Sequence, residues 1–165
     1  PVRNTNYATQ LFRACATDDD CLVRTLREAE YGVAHQSNGR SDPTSRSWNR
    51  VYARFMAQNG NWQVDLKPWY RIPESDKNDD NPDITKYMGY YRLKVGYAWG
   101  ESVFSVESRY NWNTGYGGAT TGWSYPISKQ VRFYTQVFSG YGESLIDYNH
   151  KQTRIGVGIM LNDIM

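Results

Sequence analysis

The stretch Glu28-Ala29-Glu30-Tyr31-Gly32-Val33-Ala34-His35-Gln36-Ser37 decides the fold, because its side chains change character at every second residue. Odd positions read Ala29, Tyr31, Val33, His35 and Ser37; even positions read Glu28, Glu30, Gly32, Ala34 and Gln36. A period of two belongs to a β-strand, whose successive side chains leave opposite faces. The same comb returns downstream. Asn49, Val51, Ala53 and Phe55 alternate with Arg50, Tyr52 and Arg54. Trp62, Val64, Leu66 and Tyr70 alternate with Gln63, Asp65 and Lys67. Further on, Tyr91, Leu93, Val95 and Tyr97 oppose Arg92, Lys94 and Gly96, and Phe104 and Val106 oppose Ser105, Glu107 and Arg109. Val131, Phe133 and Val137 oppose Arg132 and Gln136. The last comb sets Ile155, Val157, Ile159 and Leu161 against Arg154, Gly156 and Gly158.

With a first strand near residues 7–16 and another near 119–125, the chain reads as about nine strands. Neighbours in sequence are most simply joined as hairpins. The expectation is therefore an all-β protein, an antiparallel up-and-down barrel occupying residues 1–165 as one domain. Connections near Asp18, Gly60, Gly100 and Ser128 read as tight, and those around 38–48, 72–84 and 140–152 as long.

Composition narrows the surroundings. The 165 residues carry a net charge of +2, with no basic patch of the kind that nucleic acid requires. The mean hydropathy is −0.75, and nothing approaches the roughly 20 consecutive apolar residues of a membrane-spanning helix. A spanning barrel strand, however, needs only about 10 residues with every second one apolar. A soluble ligand-binding barrel has the same alternation with its apolar side inward. Three features favour lipid. Aromatics make up 15% of the chain, and Trp48, Trp62, Trp69, Trp99, Trp112, Trp123 and Tyr125 fall near strand ends, as interfacial girdles do. Loop lengths alternate, as in outer-membrane barrels. The last apolar comb runs almost to the C-terminus. The chain opens at Pro1 without Met, which reads as a mature or trimmed form.

The two cysteines, Cys15 and Cys21, flank Asp18-Asp19-Asp20. They read either as a disulfide across a hairpin in an oxidising compartment or as two free thiols.

If the apolar parity faces lipid, His35, Ser37 and Asn49 stand on the lipid side. His35 and Ser37 are two apart on one strand, so their side chains point the same way with α-carbons about 6.6 Å apart. Asn49 opens the next strand on the same face and can sit beside His35. A hydroxyl, an imidazole and a third group orienting the imidazole are the parts of an activated nucleophile. A lipid-facing nucleophile makes sense for a lipid substrate. On spacing alone the trio is also readable as polar residues at the headgroup boundary. His150 falls in the loop at 140–152 and reads as a solvated residue.

Longer motifs carry a resemblance. The run His35-Gln36-Ser37-Asn38-Gly39-Arg40-Ser41-Asp42-Pro43-Thr44-Ser45-Arg46-Ser47-Trp48-Asn49-Arg50 closely resembles the active-site segment of outer-membrane phospholipase A. Lys67-Pro68-Trp69-Tyr70, Asp80-Asn81-Pro82-Asp83-Ile84-Thr85-Lys86-Tyr87-Met88-Gly89-Tyr90-Tyr91 and Tyr110-Asn111-Trp112-Asn113-Thr114-Gly115-Tyr116-Gly117-Gly118 are similar as well. So are Ser139-Gly140-Tyr141-Gly142-Glu143-Ser144-Leu145-Ile146-Asp147-Tyr148-Asn149 and Gly156-Val157-Gly158-Ile159-Met160-Leu161-Asn162-Asp163. The likeness covers nearly the whole chain and is weakest before about Glu28.

The resemblance implies a calcium-dependent hydrolase of phospholipid acyl esters in the bacterial outer membrane, active as a homodimer of twelve-stranded barrels. It carries the catalytic group onto Ser37, His35 and Asn49, and an oxyanion donor onto the N–H of Gly39. Such donors typically contribute about 3–4 kcal/mol to the barrier. Calcium ligands map onto the Arg40 carbonyl and the Ser45 hydroxyl, with Asp42 and Asp80 at a second family position. Without the resemblance these four read as an ordinary polar loop. The family's first three strands and a calcium-ligating serine of the partner subunit would precede Pro1. The expectation is thus an N-terminally truncated barrel, with closure, dimer contacts and full calcium coordination in doubt. The competing reading is a passive outer-membrane barrel, a pore or adhesion scaffold. Against an open pore, Glu28, Glu30, Arg50, Arg54, Asp65, Lys67, Arg92, Lys94, Glu107, Arg109, Arg132 and Arg154 can cross-pair and fill a narrow interior.

Overall fold

In the computed structural model, which describes residues 7–16, 26–75 and 79–161, the alternating segments form nine strands. They are β1 (Tyr7–Ala16), β2 (Leu26–Ser37), β3 (Ser47–Asn59), β4 (Trp62–Ile72), β5 (Tyr91–Trp99), β6 (Ser102–Asn111), β7 (Tyr116–Pro126), β8 (Val131–Gly140) and β9 (Gln152–Leu161). Each pairs antiparallel with the next, so strand order is sequence order. Among the described residues β1 and β9 do not pair with each other, and the sheet is open. No described helix is long and apolar enough to cross a membrane. The tight connection expected near Asp18 lies outside the described residues, as does the question of a bond between Cys15 and Cys21.

The two faces follow the sequence parity. Val33, Val51 and Tyr70 stand in register across β2, β3 and β4, and all three are exposed. On β9 the exposures of Ile155, Val157, Ile159 and Leu161 run from 70% to 73%. Apolar rows this extensive mark a surface made for something other than water.

The opposite face carries the charges. The Arg54 guanidinium donates twice to the Asp65 carboxylate, at 3.0 and 2.8 Å, and Arg92 donates to the same carboxylate at 2.8 Å. Glu30, 7% exposed, lies 3.8 Å from Arg54. Lys67 sits over the Tyr52 ring at 3.6 Å. Charges withdrawn from water need such partners, because an unpaired one costs several kcal/mol, on the order of the loss when a buried pair is broken.

Two of the expected girdle tryptophans belong to this inner face. Trp48 is fully buried and Trp69 nearly so, their rings edge-to-face at 6.1 Å, with Arg50 stacked 3.9 Å over Trp48. Their even and odd positions are opposite in parity to the outward Asn49 and Tyr70, so the alternation overrides the pull of a strand end.

Long connections fill one mouth of the sheet. The segment between β4 and β5 contains a short helix, α1 (Ile84–Met88), which begins where the long connection expected around 72–84 ends. Ile84 and Met88 join Trp48, Trp69, Leu145 and Tyr148 in one core. Tyr87 stacks on Tyr116 at 5.0 Å, and Trp69 Nε1 donates to the Gly89 carbonyl at 3.0 Å. Gly142 is required here, since a β-carbon would stand 2.3 Å from Met88 Sδ. The Tyr148 hydroxyl donates to Asp83. Burial, and then the Asp83 carboxylate, raise its pKa well above the ordinary phenol range, so it remains the donor. The connection at 112–115 is short although it leaves the sheet at the long-loop end.

Candidate active site

The end of β2 and the start of β3 bring two of the three chemical groups together. His35 pairs directly with Asn49, and directly opposed residues share a face. Their side chains meet, with His35 Nδ1 2.8 Å from Asn49 Oδ1. A carboxamide oxygen only accepts, so the imidazole carries its proton on Nδ1 and leaves Nε2 with a lone pair. The other end of the amide is also engaged: Asn49 Nδ2 donates to Glu74 Oε1 at 2.9 Å.

Ser37 stands two residues beyond His35 on the same face, opposite Ser47. Among the described residues no hydrogen bond joins its hydroxyl to the ring. Nucleophile–base contacts are often loose without substrate and tighten in the complex.

The chain leaves β2 through Asn38, which is buried and ties the loop at 38–46 together. Its backbone N–H donates to the Arg46 carbonyl at 3.0 Å, and its Nδ2 to the Thr44 carbonyl at 2.7 Å. Its Oδ1 accepts from the N–H groups of Arg46 at 3.0 Å and Arg40 at 3.3 Å. Held between these bonds, Gly39 adopts φ 63°, a left-handed conformation that glycine enters without steric cost. Its N–H has no partner among the described residues. A donor therefore stands unspent two residues from Ser37.

Of the candidate cation ligands, the fold joins Ser45 and Asp80: the Ser45 hydroxyl donates to Asp80 Oδ2 at 2.6 Å. Arg71, paired with Asp79, donates also to the Pro82 carbonyl at 3.0 Å and holds this stretch against β4. Asn81 Oδ1 accepts from the Ser47 N–H at 3.0 Å. Asp42 is exposed and is not joined to Ser45 or Asp80. Among the described residues there is no cluster of three or more His, Cys, Asp or Glu side chains. A calcium site built from carbonyls and hydroxyls would not form one.

The family model for phospholipase A1 matches residues 1–161. This chain belongs to the phospholipase A1 family.

Relatives in the family include the phospholipase A1 of Klebsiella pneumoniae, 67% identical over 99% of this chain and 56% of that protein. The Escherichia coli K12 phospholipase A1 is 65% identical over the same shares. The chain thus spans about half the length of these relatives. Its fold is that of outer membrane phospholipase A from Escherichia coli, with a TM-score of 0.91 at 65% identity, over 100% of this chain and 63% of that one. A solved active-site mutant of the same protein, with an asparagine changed to alanine, matches with a TM-score of 0.88 at 64% identity over 97% and 61% of the two chains. The Salmonella typhi outer membrane phospholipase, solved as a dimer with bound calcium, matches at 0.88 and 66% identity over the same shares.

Within this phospholipase A1 family member, two polar groups around the trio escaped the sequence reading. Glu74 falls in an irregular stretch, where period-two parity gives no direction. Asn38 looks like one more polar residue of a loop, and its four bonds exist only once the loop closes on itself. A buried Asx residue at a strand exit is the one local signal that points to it.

Proposed function

We propose that the lipid-facing side of β2 and β3 hydrolyses phospholipid acyl esters, with Ser37 as nucleophile, His35 as base and Asn49 orienting the imidazole. The carrying observation is the 2.8 Å contact between His35 Nδ1 and Asn49 Oδ1 on an exposed apolar face. It fixes the tautomer that serine activation needs, on the side where a lipid would lie.

His35 Nε2 takes the Ser37 proton as Oγ attacks the ester carbonyl. The new oxyanion lies toward the Gly39 N–H. Collapse expels the glycerol oxygen, which receives the proton from His35 and leaves a lysophospholipid. Water, deprotonated by His35, then attacks the acyl-serine; collapse releases the fatty acid and expels Ser37 Oγ, which takes the proton back from His35. The neutral amide of Asn49 compensates the imidazolium less than a carboxylate would.

Hard oxygen donors suit calcium: the Arg40 carbonyl and the Ser45 hydroxyl would hold one ion, and Asp42 and Asp80 would serve a second position. Bound there, the cation would add positive charge beside the developing oxyanion. The hydroxyl-to-carboxylate contact of Ser45 with Asp80 brings one residue of each position together. The reading places residues 1–165 in one transmembrane barrel domain in the bacterial outer membrane, working as a homodimer. The Salmonella typhi relative, a dimer with calcium, supports those last two elements.

The test is fatty-acid release from detergent-dispersed phospholipid by the full-length protein, with and without chelator. Ser37→Ala is expected to abolish release while the heat-resistant barrel persists on gels. Activity within about tenfold of the parent, a loss under about 1.4 kcal/mol in the barrier, would sink the assignment.

A further inference from the structure

We infer that Glu74 is a positioning residue for the candidate catalytic group: its carboxylate sets which end of the Asn49 amide faces His35, and thereby the tautomer of the imidazole. The inference rests on the catalytic reading of Ser37, His35 and Asn49. The two ends of a carboxamide are almost the same size, so packing alone barely distinguishes Oδ1 from Nδ2. Turned round, Asn49 would offer N–H groups to His35 Nδ1. That nitrogen would then have to accept, the proton would move to Nε2, and the ring could not take a proton from Ser37. A neutral neighbour such as glutamine could satisfy either orientation of Asn49. An ionised carboxylate cannot, because it only accepts. Glu74 Oε1, 2.9 Å from Asn49 Nδ2, therefore commits the amide to donate away from the ring and to accept from it.

Among the described residues, nothing else in the surroundings would do this. Asn49 pairs with Ile72 on β4 and with His35 on β2. Among the described residues, the hydrogen bonds of its side chain go only to His35 and Glu74. Glu74 lies just past the end of β4, two residues from Ile72, and is half-buried. Imidazole, amide and carboxylate thus stand hydrogen-bonded in series, with Ser37 two residues from His35 on the same face.

The test uses the full-length protein, assayed for fatty-acid release with saturating and limiting phospholipid. Glu74→Gln and Glu74→Ala are expected to lower kcat by about tenfold, with KM within about twofold, because orientation and not binding is lost. Asn49→Asp alone sets two carboxylates against each other and is expected to cost about a hundredfold. Combining Asn49→Asp with Glu74→Gln restores a donor facing an acceptor and should recover at least about tenfold of that loss. A purely structural role for Glu74 gives no reason for such a recovery. Parental kcat in both Glu74 variants, or a double variant no better than Asn49→Asp, overturns the inference. Should Glu74→Ala fail to give the heat-resistant barrel, the comparison of Asn49→Asp with the double variant still decides. Ser37→Ala is run alongside: full activity there would bring down the catalytic reading itself, whereas an inactive Ser37→Ala with parental Glu74 variants would bring down Glu74 alone.

Discussion

Asn49 accepts one hydrogen bond and donates another but transfers no proton, and its removal should reflect that. Asn49→Ala leaves His35 as a base without a fixed tautomer, so the expected loss in hydrolysis is smaller than that of Ser37→Ala. Equal inactivity of the two in the fatty-acid assay would mean that Asn49 does more than orient. Ser45→Ala removes the hydroxyl that meets Asp80. It should raise the calcium concentration giving half-maximal rate and leave the barrel's heat resistance unchanged. Activity of the parent in excess chelator would rule out the calcium reading.

Each strand carries two programmes, one per face, and they respond oppositely to the same change. Leu66 is at the middle of the outer face of β4, in register with Phe55 and Leu93. Leu66→Arg should destabilise the barrel in bilayers by about 2–4 kcal/mol, the cost of a guanidinium near the membrane midplane. Trp48, one residue from Asn49, points the other way into the core. Trp48→Ala should cost about 3–5 kcal/mol, the usual penalty for emptying a buried aromatic site. Denaturant titration of tryptophan fluorescence in detergent, with five tryptophans remaining of the six, measures that loss. No loss in either variant would mean that the faces have been assigned the wrong way round.

The open sheet sets the behaviour of the molecule as a whole. Among the described residues, nine strands joined to their sequence neighbours leave one edge of β1 and one of β9 unpaired. An unpaired N–H or C=O costs several kcal/mol in lipid, on the order of its transfer into hydrocarbon, and in water such an edge recruits other chains. Residues 1–165 refolded alone in detergent should therefore appear by cross-linking as oligomers with little lipase activity. Supplying the family's preceding strands, in cis or as a separate piece, should give a closed barrel and activity. A monodisperse, fully active monomer of residues 1–165 would show those strands to be dispensable.

The sequence by itself determined the strands, their order, the two faces, and the side of the sheet on which His35, Ser37 and Asn49 stand. All of these follow from a period of two and short connections, which are local properties. The motifs from His35 to Arg50 and beyond carried the family, in agreement with the match over residues 1–161. Tertiary structure decided what locality cannot express. It buried Trp48 and Trp69 as core, since parity puts each on the charged face but only the folded mouth covers them. It made a helix of 84–88, which packs against β6 and β7, far away in sequence. It brought Asp80 to Ser45 and Glu74 to Asn49, 35 and 25 residues apart. Irregular chain has no period, so the direction of such side chains is fixed by the partners they find.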